Sequence, residues 1–153
     1  MTSARLLPLL LAPLLLGAMP GPAAAQSGFA GDWGGSYVCA QGSTGLNLRL
    51  RPSAEGGVEG VFHFFPLASN PRAAEGCYEV SAPRPAKGEP VTIAAGRWLL
   101  RPDNYVTVDL VAELDEDGTL YGHVEGPGCG LFAARRSAPR SLPAACGAVI
   151  SSR

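Results

Sequence analysis

The chain has 153 residues, of which 46% are hydrophobic and 16% charged, and its formal net charge at pH 7 is −1. This length fits one domain, and the apolar content with so small a charge excess excludes a disordered chain. The 20 Gly and 14 Pro break helices and exclude a coiled coil. A nucleic-acid-binding protein normally carries a clear basic excess, which is missing here.

The N-terminal stretch from Met1 to Ala25 has the pattern of a secretory signal peptide. Arg5 precedes a leucine-rich stretch over residues 6–16, and three alanines ending at Ala25 supply the small residues needed before a cleavage site at Gln26. The apolar run is too short to span a bilayer comfortably. We therefore predict cleavage between Ala25 and Gln26 and a periplasmic or secreted location. The mature chain then covers 26–153, and loss of Arg5 changes its formal net charge to −2.

The rest of the chain has the composition of a soluble bacterial protein. Arg far outnumbers Lys, and Ala, Gly and Pro are abundant, as is typical of GC-rich bacterial genomes. No later apolar stretch is long enough to cross a bilayer, so we expect no membrane span after signal cleavage.

The mature chain begins with a succession of short predicted strands. A first strand covers 36–39 after a glycine-rich start. Leucines then occupy every second position from Leu46 to Leu50, a period of two that puts them on one buried face. After a turn at 52–57, the β-branched and aromatic residues of 58–65 complete a hairpin.

In the middle of the chain the predicted strands are shorter and are separated by loops. Residues 77–80 are a further strand candidate, and 82–90 form a loop containing Pro, Lys and Gly. Two short strands, 91–93 and 98–100, are predicted on either side of Gly96.

The alternation of apolar and polar residues is strongest near the end of the chain. Apolar residues occupy alternate positions from Val106 to Leu114, and the turn Asp115–Gly118 leads into a strand at 120–124, which makes a second hairpin. A last strand covers 129–134, followed by a tail over 135–153 that begins rich in Arg, Ser and Pro. No stretch of the mature chain shows the apolar periodicity of an amphipathic helix.

These elements indicate an all-β fold. Gly60 and Gly122 lie inside strands, where glycine marks the bulges and bends that a closed barrel needs. About eight short strands with frequent turns fit a small antiparallel barrel or a sandwich, and we predict the barrel, with the sandwich as the alternative. The predicted organisation is a signal peptide (1–25), one barrel domain (26–134) and a disulfide-tied C-terminal tail (135–153).

The four cysteines all lie in the mature chain. An even number in an exported protein predicts two disulfides, with three possible connectivities. The cysteines stand far apart in the sequence and lack the close pairs of a zinc site. Cys39 ends the first predicted strand and Cys129 begins the last, and these strands are neighbours in a closed barrel. We therefore predict the pairs Cys39–Cys129 and Cys77–Cys146.

Catalytic signals are sparse. His63 or His123, paired with Asp109 or a serine, is a candidate general base for a small hydrolase. The sequence has no nucleophile elbow, no H-E-x-x-H and no phosphate loop. The acidic turn that starts at Asp115 has Gly126 where a calcium loop needs glutamate. We therefore predict a protein that is not an enzyme and has no catalytic residues, metal or cofactor, and keep the secreted hydrolase as an alternative.

Arginines and aromatic residues near strand ends are the candidate contact residues. A Trp flanked by two Arg can stack on a ligand and bind a carboxylate or phosphate in a bidentate manner, although most Trp residues are core residues. The predicted partner is an envelope protein or a glycan, and the protein is predicted to be a monomer. The candidate binding residues are Arg49, Arg51, Arg97, Trp98, Arg101 and Tyr105.

Five stretches of the chain match one longer pattern in order and spacing. They are Trp33–Leu48 (W-x-G-x-Y-x-C-x-Q-G-x-T-x-L-x-L), Phe62–Phe65, Asn70–Pro71, Trp98–Tyr105 (W-x-x-x-P-x-x-Y) and Gly126–Arg135 (G-P-G-C-x-x-F-x-x-R). Over most of its mature length the chain thus resembles a family of secreted bacterial β-domains to which no activity is attached. Two cysteines, Cys39 and Cys129, belong to the pattern, which favours their pairing.

A second similarity concerns two tripeptides, Tyr37-Val38-Cys39 and Gly76-Cys77-Tyr78. They resemble the first strand and part of the inhibitory loop of the C-type (MliC-like) lysozyme inhibitors, which are small disulfide-linked periplasmic β-barrels. The serines expected before the loop glycine are replaced by residues 73–75 (Ala-Ala-Glu), and a W-x-K-G stretch is missing at Trp98. We therefore predict a non-catalytic binding or interaction module of the bacterial envelope, with lysozyme inhibition implied as an alternative.

Overall fold

Eight strands follow one another around a closed antiparallel barrel, each paired with the next, and the last strand pairs with the first. The computed structural model describes residues 28–86 and 88–147. The predicted barrel is confirmed. The predicted signal peptide and its cleavage site lie outside the described residues. The strands are β1 (Gly31–Cys39), β2 (Gly42–Pro52), β3 (Val58–Phe65), β4 (Gly76–Ala82), β5 (Val91–Leu100), β6 (Asp109–Leu114), β7 (Leu120–Glu125) and β8 (Leu131–Arg136), and a short helix α1 (Ala144–Gly147) follows.

Alternation along each strand decides which side chains fill the barrel. Leu46, Leu48 and Leu50 are fully buried, as their period of two predicts. Two strand glycines allow close contact between neighbouring strands, because a Cβ at Gly60 would overlap the backbone carbonyl of Arg49, and one at Gly122 that of Val111.

Several predicted strands have different bounds in the structure. The first starts at Gly31 and not at residue 36, and the last is Leu131–Arg136, which leaves Cys129 in the loop before it. The strands expected at 91–93 and 98–100 are one continuous strand, β5, because register shifts in its pairing with β4 absorb the irregularity around Gly96. The strand expected to start at Val106 starts at Asp109. The phenol oxygen of Tyr78 explains this, since it donates to the carbonyl of Val108 (2.9 Å) and accepts from its amide (3.4 Å), in place of a neighbouring strand.

The two ends of the barrel differ. At one end, which we call the closed end, the indole Nε1 of Trp33 donates to the carbonyl of Phe29 (2.8 Å), and both side chains are buried. Four loops border the other end, which we call the open end: 40–41, 66–75, 101–108 and 126–130.

Residues 137–147, here called the covering segment, cross the outside of the barrel from β1 toward β5. The amide of Ser137 donates to the carbonyl of Asp32 (3.0 Å), and the guanidinium of Arg49 donates to the carbonyl of Arg140 (2.8 Å). Further along, Leu142 packs against a second small core outside the barrel.

Both predicted disulfides are present, Cys39–Cys129 and Cys77–Cys146. The first joins the end of β1 to the loop before β8, and the second joins β4 to the covering segment. Among the described residues, no helix is long and apolar enough to cross a membrane.

Candidate binding site at the open end

A cleft of about 520 Å³ lies at the open end of the barrel. Its deepest side chains come from the barrel interior, and the more exposed ones come from the bordering loops. It is lined by Tyr37, Cys39, Ala40, Gln41, Phe64, Tyr78, Asn104, Tyr105, Val106, Val108, Pro127 and Cys129.

Aromatic rings pack closely beneath and beside this cleft. The rings of Phe62 and Tyr78 stack with centroids 4.9 Å apart, and those of Phe64 and Tyr105 stack at 5.4 Å. Tyr37 meets Phe62 edge to face at 5.5 Å. These are the offset and T-shaped arrangements that aromatic quadrupoles favour, so the base of the cleft is a rigid aromatic surface.

The phenol groups of the cleft are held by hydrogen bonds. Tyr37 accepts from the side-chain amide of Gln41 (3.1 Å), and Tyr105 accepts from the backbone amide of Ala74 (3.2 Å). Burial raises the pKa of the Tyr37 and Tyr78 phenols well above the ordinary value of 10.0. Both phenols therefore stay protonated and neutral at any physiological pH.

The rim of the cleft is fixed covalently and by its backbone. The Cys39–Cys129 disulfide lines it, and the amide of Gly130 donates to the carbonyl of Val38 (2.8 Å). In the opposite loop, Asn104 adopts a positive φ of 60°, a left-handed conformation that asparagine tolerates better than most residues. The disulfide thus cross-links one side of the rim to the end of β1.

Three of the six sequence-predicted contact residues lie together near this site. Tyr105 lines the cleft. Trp98 packs behind it, edge to face with Tyr78 at 5.1 Å, and the guanidinium of Arg101 lies 5.9 Å from its ring centroid. Trp98 is half-buried and packs against the main core, as is usual for tryptophan.

The other three predicted contact residues lie elsewhere. Arg97 forms an exposed ion pair with Glu79 (2.8 Å). The guanidinium groups of Arg49 and Arg51 both bind the carboxylate of Asp32, at 2.9 and 3.1 Å. The six residues therefore form no single site, because strand alternation and pairing send these arginines to carboxylates on the barrel wall.

Neither histidine lines the cleft. His63 is 1% exposed on the outer wall beneath the covering segment, and its Nε2 lies 2.8 Å from a carboxylate oxygen of Glu75. Burial lowers its pKa from 6.5, and Glu75 opposes the shift. His123 is half-exposed on the opposite wall, 3.9 Å from Glu125.

Metal ligands do not converge in the described part of the chain, where no three His, Cys, Asp or Glu side chains are arranged to hold an ion. The acidic turn is a hairpin turn, in which the carboxylate of Asp115 accepts from the amides of Asp117 (3.2 Å) and Thr119 (2.8 Å).

Sequence reasoning found one lining residue, Tyr105, and missed most of the others. The pattern of alternation places Tyr37, Phe64 and Tyr78 in phase with the core, so the sequence predicts that they are core residues. The available signal was the tyrosine hydroxyl at an inward position near a strand end, since such a group needs a polar partner when buried.

The fold defines a small up-and-down β-barrel, closed by eight strands and linked by two disulfides. Comparison of the chain with known protein families, with curated proteins and with solved structures finds no match. A fold alone does not specify a function, so the residues of the cleft are what indicate it.

Proposed function

We propose that the protein is an exported, non-catalytic binding module of the bacterial envelope and that its ligand binds in the open-end cleft. The observation that carries the proposal is the cleft of about 520 Å³ with its aromatic base and cross-linked rim. Small-molecule sites have volumes of about 300–1,000 Å³ and are lined mainly by apolar and aromatic side chains. The mouth of a small barrel is a common place for them.

The chemistry of the lining supports binding rather than catalysis. The twelve lining residues include no acidic, basic or histidine side chain, and the phenols of Tyr37 and Tyr78 have raised pKa values. A general acid or base works best with a pKa near the operating pH. The lining supplies no such group.

Two observations support export. The two disulfides are consistent with an oxidising compartment, and the N-terminal sequence has the signal-peptide pattern. N-terminal sequencing of the protein from a periplasmic fraction of an expressing bacterium tests this, with Gln26 as the expected first residue. Full-length protein confined to the cytoplasm would contradict export.

Binding is tested by NMR titration of the oxidised mature protein with three uncharged probes: 2-naphthol, decahydro-2-naphthol and methyl glucoside. We expect at least one probe to shift the amides of Gln41, Tyr105 and Val106 saturably. Val106→Arg places a long charged side chain at the mouth and should abolish these shifts. The matched control is Leu131→Arg, a change at a 73%-exposed position outside the cleft. If no probe produces saturable shifts at the cleft, the proposed site is wrong.

A small secreted hydrolase is a second candidate because His63 and Glu75 form a histidine–carboxylate pair at 2.8 Å. The imidazole is 1% exposed, so substrate would reach it only after the covering segment moved. Hydrolysis of p-nitrophenyl acetate by the wild type and by His63→Gln distinguishes the two functions. Saturable turnover that disappears in the variant would favour the hydrolase.

Lysozyme inhibition is the alternative implied by the similarity to C-type inhibitors. Gly76, Cys77 and Tyr78, which carry part of that similarity, are buried at the start of β4. An inhibitory contact would therefore have to come from the loop over 66–75. Unchanged lysozyme rates with the mature protein in micromolar excess would remove this alternative.

A further inference from the structure

We infer that the open-end cleft takes an uncharged, planar aromatic ligand, an inference that rests on the function proposed above. Three features of the lining lead to it: none of its side chains is charged, its phenol groups already have hydrogen-bond partners, and its aromatic rings lie parallel.

Charge is the first feature. No acidic or basic side chain is among the lining residues. The nearby Arg101 directs its Nε to the carbonyl of Tyr105 (3.3 Å), and its guanidinium lies over the ring of Trp98. A carboxylate or phosphate in the cleft would lose its hydration without gaining a paired cation, which is costly. A neutral ligand avoids this penalty.

The second feature is that the phenols of the cleft already have partners. The Tyr78 hydroxyl both donates to and accepts from the backbone of Val108, and Tyr37 accepts from Gln41. A sugar has hydroxyls around its whole ring, and several would be left unpaired here, which costs binding free energy at each one. A molecule with one or two polar groups needs only the partners that remain at the rim, such as the exposed Asn104 side chain.

The third feature is the parallel alignment of the rings. Phe64 and Tyr105 are tilted by only 6° relative to each other, and Phe62 and Tyr78 by 8°. Tyr105 is half-buried at the edge of this arrangement. A flat aromatic ligand can continue the stack, whereas a saturated ring of the same carbon skeleton is puckered and lacks the quadrupole that favours such contacts.

The test compares probes that share one carbon skeleton. The dissociation constants of 2-naphthol, decahydro-2-naphthol and 2-naphthoate are measured by the same NMR titration on the oxidised mature protein. We expect 2-naphthol to bind about 2- to 10-fold more tightly than the saturated alcohol, and 2-naphthoate to bind most weakly. The variant Tyr105→Leu keeps an apolar side chain without the ring and should reduce this preference. Tyr121→Leu, at an exposed tyrosine outside the cleft, should leave it unchanged.

The outcomes separate the inference from the proposed function. Equal affinities for 2-naphthol and its saturated counterpart would overturn the aromatic preference while leaving the binding site in place. Tighter binding of 2-naphthoate would overturn the uncharged class, and tighter binding of methyl glucoside would replace it with a saccharide. If none of the probes binds, both the inference and the proposed function fail. The wild-type ranking decides these points even if Tyr105→Leu does not fold.

Discussion

The two histidines occupy equivalent places in two hairpins, yet one lies in a covered wall of the barrel and the other in a bare wall. His63 is 1% exposed and His123 is 54% exposed. Both face outward from the barrel. The difference arises because the covering segment crosses β2 to β5 and leaves the outer side of β6 to β8 in water.

The covering segment creates a second small core outside the barrel. Val61, Cys77 and Cys146 are fully buried there, and Leu142 packs against them. On the bare wall, Leu131 in β8 remains 73% exposed. A side chain that projects outward from a strand is therefore not always exposed to solvent, because a segment distant in the sequence can cover it.

The largest effect on stability should come from the disulfides, and only the one that anchors the covering segment should also affect the covered wall. Cys77→Ala/Cys146→Ala removes a cross-link between residues 69 apart and should lower the free energy of unfolding by about 4 kcal/mol, measured by urea denaturation. Cys39→Ala/Cys129→Ala removes a link across 90 residues and should cost a similar amount. Only the first variant should also lose hydrogen-exchange protection around His63. Equal protection in both variants would contradict an anchoring role.

Alanine substitutions of two leucines should show that packing stabilises the covered wall more than the bare wall. Leu142→Ala leaves a gap in the outer core and should destabilise the protein by about 1–2 kcal/mol, less than a fully buried leucine because Leu142 is only half-buried. Leu131→Ala on the bare wall should change the free energy of unfolding by less than about 0.5 kcal/mol. Equal effects in chemical denaturation would mean that the covering segment contributes no packing.

The buried histidine of the covered wall should make stability depend on pH. Burial lowers the pKa of folded His63 below its unfolded value of 6.5, so the unfolded chain binds more protons in that window. The contribution of His63 is therefore complete above about pH 6.5 and decreases as the pH falls below that value. His63→Gln should flatten this acid-side loss in urea denaturation series between pH 7.5 and 5. An unchanged pH profile in His63→Gln would contradict this, because it would show that the pKa of His63 does not change on folding.

The smallest contrast concerns two arginines. Arg49 binds both Asp32 and the carbonyl of Arg140 with 17% of its side chain exposed, and Arg49→Ala should cost about 1 kcal/mol. Arg135 pairs with Asp117, and both side chains are more than half exposed. Arg135→Ala should therefore cost less than about 0.5 kcal/mol. Thermal unfolding at low and high salt checks both values, and an Arg135 effect equal to that of Arg49 would rule out burial as the cause.

Patterns between neighbouring residues predicted much of the fold. The period of two from Leu46 to Leu50 predicted the face that fills the barrel, and the turn at Asp115–Gly118 predicted its hairpin. Errors occurred where a distant residue intervened. Val106 and Val108 continue the alternation of β6, but the Tyr78 hydroxyl bonds the backbone of Val108 and leaves both residues in the rim of the cleft.

The candidate site was less predictable than the fold, because its residues come from five separate parts of the chain. Tyr105 was found from its position near a strand end. Arg49 and Arg51 were grouped with it because arginine is a common anion ligand, but both bind Asp32 on the barrel wall. Which carboxylate an arginine meets depends on strand pairing, and the sequence around that arginine does not contain this information.

The sequence alone determined the all-β class, the place of most strands and the even set of cysteines, since alternation, turn residues and cysteine count are local or compositional properties. The pairing of those cysteines also follows from the sequence if the barrel closes, because closure makes the first and last strands neighbours. Only the tertiary structure decided that His63 is buried while His123 is exposed, and that Tyr37, Tyr78 and Tyr105 meet at one end of the barrel. The physical reason is that burial and site geometry depend on which distant segments pack together, whereas alternation specifies only the side of the strand from which each side chain projects.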